Sequence, residues 1–282
     1  MVFKDLLLTL ISYPEPMPVT AVDQAVTLAE ALGARISAIS FELEVAVPGR
    51  VNFLADKLLD VPGIVAAERQ KSLENARNLL KAFETSATRQ GVFQERILER
   101  CMTSQLPDVL IEHARLHDLT IIPADASDGV WCSEAVIFGS GRPTMVLPAV
   151  SRPGRAPSID TVAVAWDFSR AAARAVADAL PILEKAKQVR VVTVTNEKII
   201  KTSRSGAELA RHLARHGVEI TLDVVEAEGR SIGDALEAYI ESHDVDLLVM
   251  GAYGHSRIRE FILGGATLSM ISRPPVPVFL SH

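Results

Sequence analysis

An internal repeat limits the folds open to this chain more than any other feature of its sequence. The run DLLLTLI is followed by a turn, a helical pattern and the apolar run ARISAISFE, and DTVAVAW is followed by the same succession, ending in VRVVTVTNE. Aligning Arg35 with Arg190, at an offset of 155 residues, places Ser12 on Asp167. We therefore predict two copies of one α/β unit.

The two copies differ in length. Farther along, RQGVFQERILER matches RHGVEITLDVVE with Gly91 on Gly217, an offset of 126, so the first copy carries about 29 extra residues. We assign these to the segment around VPGRVNFLADKLLDVPGIV. The joint SRPGRAPS has the Pro and Gly content of an exposed linker. The predicted division is residues 1–150, a linker at 151–158, and residues 159–282.

Each copy alternates short β-branched runs with amphipathic helical stretches, which indicates parallel strands joined by helical crossovers. TVAVAW, RVVTV and DLLVM are apolar on both faces, as buried parallel strands are. The fold class is thus α/β, with two doubly wound, Rossmann-like domains in tandem. In such sheets ligands bind beyond the carboxyl ends of the strands.

Charge and cysteine content narrow the function classes. A net charge of −6 without a dense Lys/Arg block argues against a dedicated nucleic-acid binder, so we expect small molecules or proteins as partners. The early apolar stretch meets Pro14 before it is long enough to span a bilayer. Cys101 and Cys132 lack CxxC spacing and are interpreted as small core residues. We expect a cytoplasmic protein without membrane contact.

The stretch MGAYGHSRIREFILGGAT, Met250 to Thr267, places glycines in the pattern G-x2-G-x9-G directly after the run DLLVM, around a basic, helix-like middle. Glycine leaves room for backbone N–H groups to approach an anion. Gly264 and Gly265 precede a helix start, where phosphate is favoured and the Thr267 hydroxyl can donate. Alternatively, the glycines only shape a turn and a helix junction.

Asp167 ends the first strand of the second copy and would lie at the same edge of the sheet. A carboxylate there can accept a hydrogen bond from a ribose hydroxyl or an adenine amine. The neighbouring Trp166 either stacks on a base or packs in the core. His255 and Arg257, in HSRIRE, either face phosphates or are solvated.

This pattern resembles the universal stress protein family in a tandem form. The strongest match is GAYGHSRIREFILGGAT followed by PVPVFL, against the family's ATP-binding signature G-x2-G-x9-G followed by Ser or Thr. Gly265 stands where Ser or Thr is usual. The resemblance implies that Asp167 contacts the nucleoside, that Val194 lines the adenine pocket and that the glycines and Thr267 hold phosphates. The full predicted cofactor-binding set is Asp167, Val194, Met250, Gly251, Tyr253, Gly254, His255, Arg257, Gly264, Gly265, Ala266 and Thr267.

The first copy departs from the signature. Ser12 replaces the Asp, Pro123 offers no N–H to a phosphate, and Gly139 with Ser140 is a remnant of the glycine pattern. We therefore predict one nucleotide site per chain. The His pairs spaced i,i+4 are interpreted as solvated helix faces because no third ligand is spaced to join them, so no metal site is predicted.

The resemblance and the loop together predict an adenine-nucleotide-binding stress-response protein, with ATP as the expected cofactor, with or without Mg²⁺. Catalysis would be slow or absent, because no motif positions a general base. Two alternatives stay open: a nucleotide-independent protein-interaction scaffold, and an ATP-using phosphotransferase or adenylating enzyme. In single-domain relatives the last strands of two subunits pair, so the resemblance also implies that PTMVLPAV and PVPVFLSH meet within this chain and make the monomer a pseudo-dimer. The protection of parallel-sheet edges supplies a physical motive for that contact. Further homodimerisation and an unknown protein partner are left open.

Overall fold

A computed structural model describes residues 2–44, 61–124, 130–150, 157–195, 206–252, 254–256, 261–263 and 265–282. Within these residues a ten-stranded sheet carries helices on both faces, and a separate two-stranded hairpin follows β9. The strands are β1 (Asp5–Leu10), β2 (Arg35–Glu44), β3 (Phe93–Met102), β4 (Leu119–Pro123), β5 (Thr144–Leu147), β6 (Thr161–Ala165), β7 (Gln188–Thr195), β8 (Ile220–Glu226), β9 (Leu247–Gly251), β10 (Gly254–Ser256), β11 (Phe261–Leu263) and β12 (Val278–Ser281).

The helices begin and end at local signals in the sequence. Ser169 and Ser231 cap two of them by accepting hydrogen bonds from backbone amides, and Gly33 ends another in the left-handed conformation. The helices are α1 (Val19–Leu32), α2 (Val61–Arg89), α3 (Leu106–Arg115), α4 (Val130–Gly139), α5 (Arg170–Leu183), α6 (Gly206–Ala214), α7 (Ile232–Ser242) and α8 (Gly265–Ser272). None of the described helices is both long and apolar enough to cross a membrane.

The strand order is β3-β2-β1-β4-β5-β12-β9-β6-β7-β8, so each half has the same doubly wound order, and the predicted α/β class is confirmed. One core runs through both halves: it includes residues of α1, α2, α5 and α6 on a single face of the sheet. The boundaries proposed for two domains stay a prediction.

The halves meet through β5 and β12, which pair antiparallel with Val278 opposite Val146 and Leu280 opposite Thr144. Every other pairing in the large sheet is parallel. The predicted contact between PTMVLPAV and PVPVFLSH is thus confirmed. A cross-half contact reinforces it, since the Lys185 ammonium donates to the last carbonyls of α1, at 2.7 Å from Leu32 O.

Strand register corrects the sequence alignment of the two halves. The Asp118 carboxylate accepts from the amide of Asp5, and the Asp246 carboxylate accepts from the amide of Thr161 in the same way. Asp5 and Thr161 are 156 residues apart, not 155, so Ile11 rather than Ser12 corresponds to Asp167. In the second strand of each half, Ile36 of β2 lies opposite Leu6, and Val189 of β7 lies opposite Val162. Ile36 therefore corresponds to Val189, at an offset of 153 residues. The alignment of Arg35 with Arg190 was therefore wrong, because the crossovers differ in length.

A half-buried cluster fastens α7 to the sheet. The Tyr239 hydroxyl donates to Asp223 Oδ2 at 2.5 Å and accepts from Arg190 Nε at 2.7 Å, while the guanidinium also pairs with Asp223. Burial, followed by the hydrogen bond to Asp223, raises the pKa of Tyr239 to about 12. The phenol therefore stays neutral in the folded chain at pH values where an unfolded Tyr ionises.

We expect this pKa to appear as alkaline destabilisation. A raised Tyr pKa adds stability that is complete below the unfolded value near pH 10 and is lost as pH rises through about 12. The full loss should be about 3 kcal/mol, because the pKa rises by about two units and each unit corresponds to about 1.4 kcal/mol. Urea unfolding of the wild type and of Tyr239→Phe at pH 9 and above isolates the contribution of Tyr239, because phenylalanine at position 239 cannot ionise. Equal pH slopes for the two proteins would contradict the assignment.

Candidate functional site

Three adjacent strands bring part of the predicted site together. Ala165 of β6 lies beside Met250 of β9 and beside Val192 of β7, so these strands end at one edge of the sheet. Asp167 follows β6, and Val194 lies near the end of β7. Carboxyl ends of parallel strands are where doubly wound sheets bind ligands. The structure thus places Asp167, Val194 and the start of the glycine stretch around a common edge.

Asp167 is exposed, and one of its oxygens already has a structural task. Oδ1 accepts a hydrogen bond from the Ser169 amide at 2.9 Å. Ser169 Oγ in turn accepts from the Ala172 amide and so caps the start of α5. Oδ2 has no hydrogen-bond partner among the described residues. Asp167 can therefore hold the turn and accept from a ligand hydroxyl at the same time.

The two apolar members of the predicted set are packing residues. Met250 is buried at 5% exposure in the cluster that α7 and α8 form with the sheet, and Val194 packs half-buried against the same cluster. A ligand at this edge would meet the Val194 side chain at the surface. From Met250 it would meet only the backbone.

Gly251 has a packing reason to be glycine. A Cβ at this position would lie 2.4 Å from the carbonyl carbon of Ala171 and 2.4 Å from the amide nitrogen of Ala172. The end of β9 therefore touches the backbone at the start of α5. At this position the alternative that the glycines serve the fold is supported.

In the described part of the remaining glycine stretch, residues 254–256 pair with residues 261–263, and α8 follows. Gly254 pairs with Leu263 and Ser256 with Phe261, so the helix-like pattern is wrong for these described residues. The segment is rich in Ile, Phe and Leu, which suit either structure, and the hairpin ladder decides between them. Tyr253, Arg257, Gly264 and the side chain of His255 lie outside the described residues.

The first turn of α8 carries three residues of the predicted set. Gly265 is exposed, and a Cβ there would meet nothing within 4 Å. Ala266 is half-buried, and Thr267 is only 1% exposed. A phosphate at this helix start would therefore meet backbone N–H groups first. The Thr267 hydroxyl predicted as a donor is enclosed by protein.

The corresponding edge of the first half is closed by helix α2. By register, Phe41 occupies the place of Val194 and Ile11 that of Asp167, and they are 0% and 9% exposed. Ser12 Oγ donates to the Phe41 carbonyl at 2.6 Å and lies 3.1 Å from Ser72 Oγ of α2. Ser72 Oγ also accepts from the Leu43 amide at 3.0 Å. Fully buried hydroxyls thus satisfy the strand ends from within the chain.

Comparison with known proteins also distinguishes the two halves of the chain, because the family model matches only residues of the second half. Residues 158–282 match the model of the universal stress protein family. The second half of the chain is therefore similar to the universal stress protein family. The chain is 36% identical to the universal stress protein Slr1230 of Synechocystis over 93 residues. These residues make up 32% of this chain and 31% of that protein. The chain thus spans about a third of the length of this curated relative.

Solved structures extend the likeness in fold to the whole chain. A universal stress protein from Archaeoglobus fulgidus superimposes with a TM-score of 0.68 over 98% of this chain and 95% of its own, at 16% identity. A putative universal stress protein from Pseudomonas aeruginosa superimposes with a TM-score of 0.59, at 12% identity. The superposition covers 99% of this chain and 93% of that one. At these identities the likeness concerns the fold.

Trp166 packs mainly against the core. Its ring meets Phe168 edge-on, with centroids 5.4 Å apart. Phe168 has a φ of 60°, which is rare for an aromatic residue. Of the two interpretations of Trp166, core packing is the one that its contacts support.

Sequence reasoning missed two groups of residues at this edge. Ser169 could have been found, since a serine before the run RAAARAVADAL is the usual signal for a helix cap. The contact of Ala171 and Ala172 with Gly251 could not, because no local pattern reports which helix start meets which strand end. The enclosing role of Ser72 was hidden for the same reason.

Proposed function

We propose that the chain is a tandem universal stress protein that binds one adenine nucleotide, at the edge formed by β6, β7 and β9. One observation carries this proposal: the strand ends of the second half are exposed or half-buried at Asp167 and Val194, while their first-half counterparts are buried. The unused Asp167 oxygen can accept from a ribose hydroxyl. The start of α8 favours a phosphate group.

The nucleotide would bias conformation or partner choice in a stress response. ATP, with or without Mg²⁺, is the proposed ligand, and the protein is proposed to be cytoplasmic. No motif of the sequence positions a general base, so we propose binding with slow or absent hydrolysis. One observation favours a scaffold instead: Gly251 is explained by packing alone.

Co-purification separates these two functions. Denaturing the purified protein and analysing the supernatant by absorbance and mass spectrometry should release an adenine nucleotide. Calorimetric titration of nucleotide-free protein with ATP and Mg²⁺ should then give one site per chain. Two sites would contradict the closed first half, and no heat with no released nucleotide would favour the scaffold.

Asp167→Ala should weaken ATP binding by about 1–3 kcal/mol, because a charge-assisted hydrogen bond to the nucleoside is lost. The matched control is Ser12→Ala near the end of β1. It removes the hydroxyl between Phe41 and Ser72, so it should lower stability and leave the ATP affinity unchanged. Calorimetry on both variants gives the comparison. Equal losses of affinity would mean that Asp167 acts only through the fold.

A further inference from the structure

The two edges of the ten-stranded sheet are protected differently. At one edge, β3 exposes Leu98 and Met102, but it also carries exposed charges that are paired: Arg96 with Glu84 at 2.7 Å, and Arg100 with Glu44 at 2.6 Å. Charged side chains on an edge strand hinder pairing with another chain. At the other edge, β8 has the sequence ITLDVVE, with neither Lys, Arg nor Pro.

The outer strand β8 exposes apolar side chains on one face. Leu222 is 44% exposed and Val224 is 72% exposed, and both lie on the same face as Ile220 because side chains alternate along a strand. Asp223 points the other way, where Arg190 and Tyr239 bind its carboxylate. Among the strands that the structure describes, β8 is paired with β7 alone. Its outward backbone groups can therefore receive another strand.

From this edge we infer that two copies of the chain associate by antiparallel pairing of β8 with β8. When a two-fold axis relates two antiparallel strands, the residue numbers of each opposite pair add up to the same value. The two residues of each pair also lie on the same face of the sheet. Centred on Leu222, the pairing sets Leu222 against Leu222, Ile220 against Val224, and Thr221 against Asp223. Apolar residues then meet apolar residues on one face.

Neighbouring registers are worse. Centring on Asp223 would set two carboxylates directly opposite each other, and centring on Val224 would set Leu222 against Glu226. The Leu222-centred register avoids both conflicts. The contact resembles the antiparallel junction of β5 with β12, which already joins the two halves within one chain. The second copy thus repeats between chains the kind of pairing that the fold uses internally, independently of any nucleotide.

Light scattering coupled to size-exclusion chromatography tests this arrangement. The wild-type chain of 30.5 kDa should elute at twice that mass, dissociating on dilution. Leu222→Lys brings two cations together at the two-fold axis, so it should weaken the dimer at least tenfold. The matched control is Leu98→Lys on β3, where the leucine is 42% exposed, and it should leave the dimer unchanged.

Val224→Lys provides a second variant on β8, at a side chain that is mostly in solvent and faces Ile220 of the other copy. It should weaken the dimer in the same direction, and circular dichroism should show an unchanged fold. A monomeric wild type, a dimer that persists in both β8 variants, or a dimer that Leu98→Lys dissociates would each overturn the inference.

Discussion

Gly251→Ala is expected to lower the free energy of unfolding by at least about 3 kcal/mol, although it adds a single methyl group. The new Cβ would lie 2.4 Å from two backbone atoms, the carbonyl carbon of Ala171 and the amide nitrogen of Ala172. Backbone cannot rotate away as the end of a side chain can. Relief would require moving α5 or β9.

Neither element can move freely. Ala172 donates to its Ser169 cap, and the buried residues Ala175 and Ala179 of α5 pack in the central core. On the other side, the backbone of β9 is bonded to both β6 and β12. The methyl group is therefore accommodated only by separating packed layers, which costs more than ordinary overpacking.

Urea unfolding followed by circular dichroism measures this loss. Gly265→Ala is the matched control within the same stretch, because a Cβ there meets nothing within 4 Å and alanine favours the helix that begins at that residue. It should leave stability unchanged or raise it slightly. A free energy of unfolding for Gly251→Ala within about 0.5 kcal/mol of the wild-type value, as for a neutral surface substitution, would mean that the close contact is not present in solution.

Sequence predicted the larger features of this fold because they rest on periodic patterns. Buried runs such as TVAVAW gave parallel strands, and the repeat gave one strand order for both halves. These two features depend on residues close together in the chain or on the repeat itself. The pairing of β5 with β12 was instead implied by the family resemblance, through relatives in which the last strands of two subunits pair.

The features that sequence missed depend on contacts between distant residues. Nothing in ARISAISFE indicates that Phe41 would be enclosed by Ser72 from a helix about thirty residues farther on. Gly251 fits a ligand-binding motif and a packing contact equally well, and only the distance to α5 reveals the second. The errors in offset, one residue at β1 and two at β2, arose because crossover length is not fixed by strand patterns.

Gly254→Val is expected to remove nucleotide binding while the fold is kept. Gly254 lies in β10 opposite Leu263, and valine suits a strand, so the hairpin should still form. Under the proposed function, however, a branched side chain takes the space through which the loop backbone approaches the phosphates. We expect the ATP affinity to fall at least about a hundredfold, equivalent to about 2.8 kcal/mol.

Gly139→Val in the first half is the comparison variant. A Cβ at Gly139 would lie 2.7 Å from Ile111 Cδ1, the movable end of a side chain, so this variant should lose some stability. Its ATP affinity should equal that of wild type, because the strand ends of that half are closed by Ser12 and Ser72. Calorimetric titration of both folded variants decides between the halves. If Gly139→Val abolishes binding and Gly254→Val does not, the nucleotide site lies in the first half, and the closed strand ends must open to admit it.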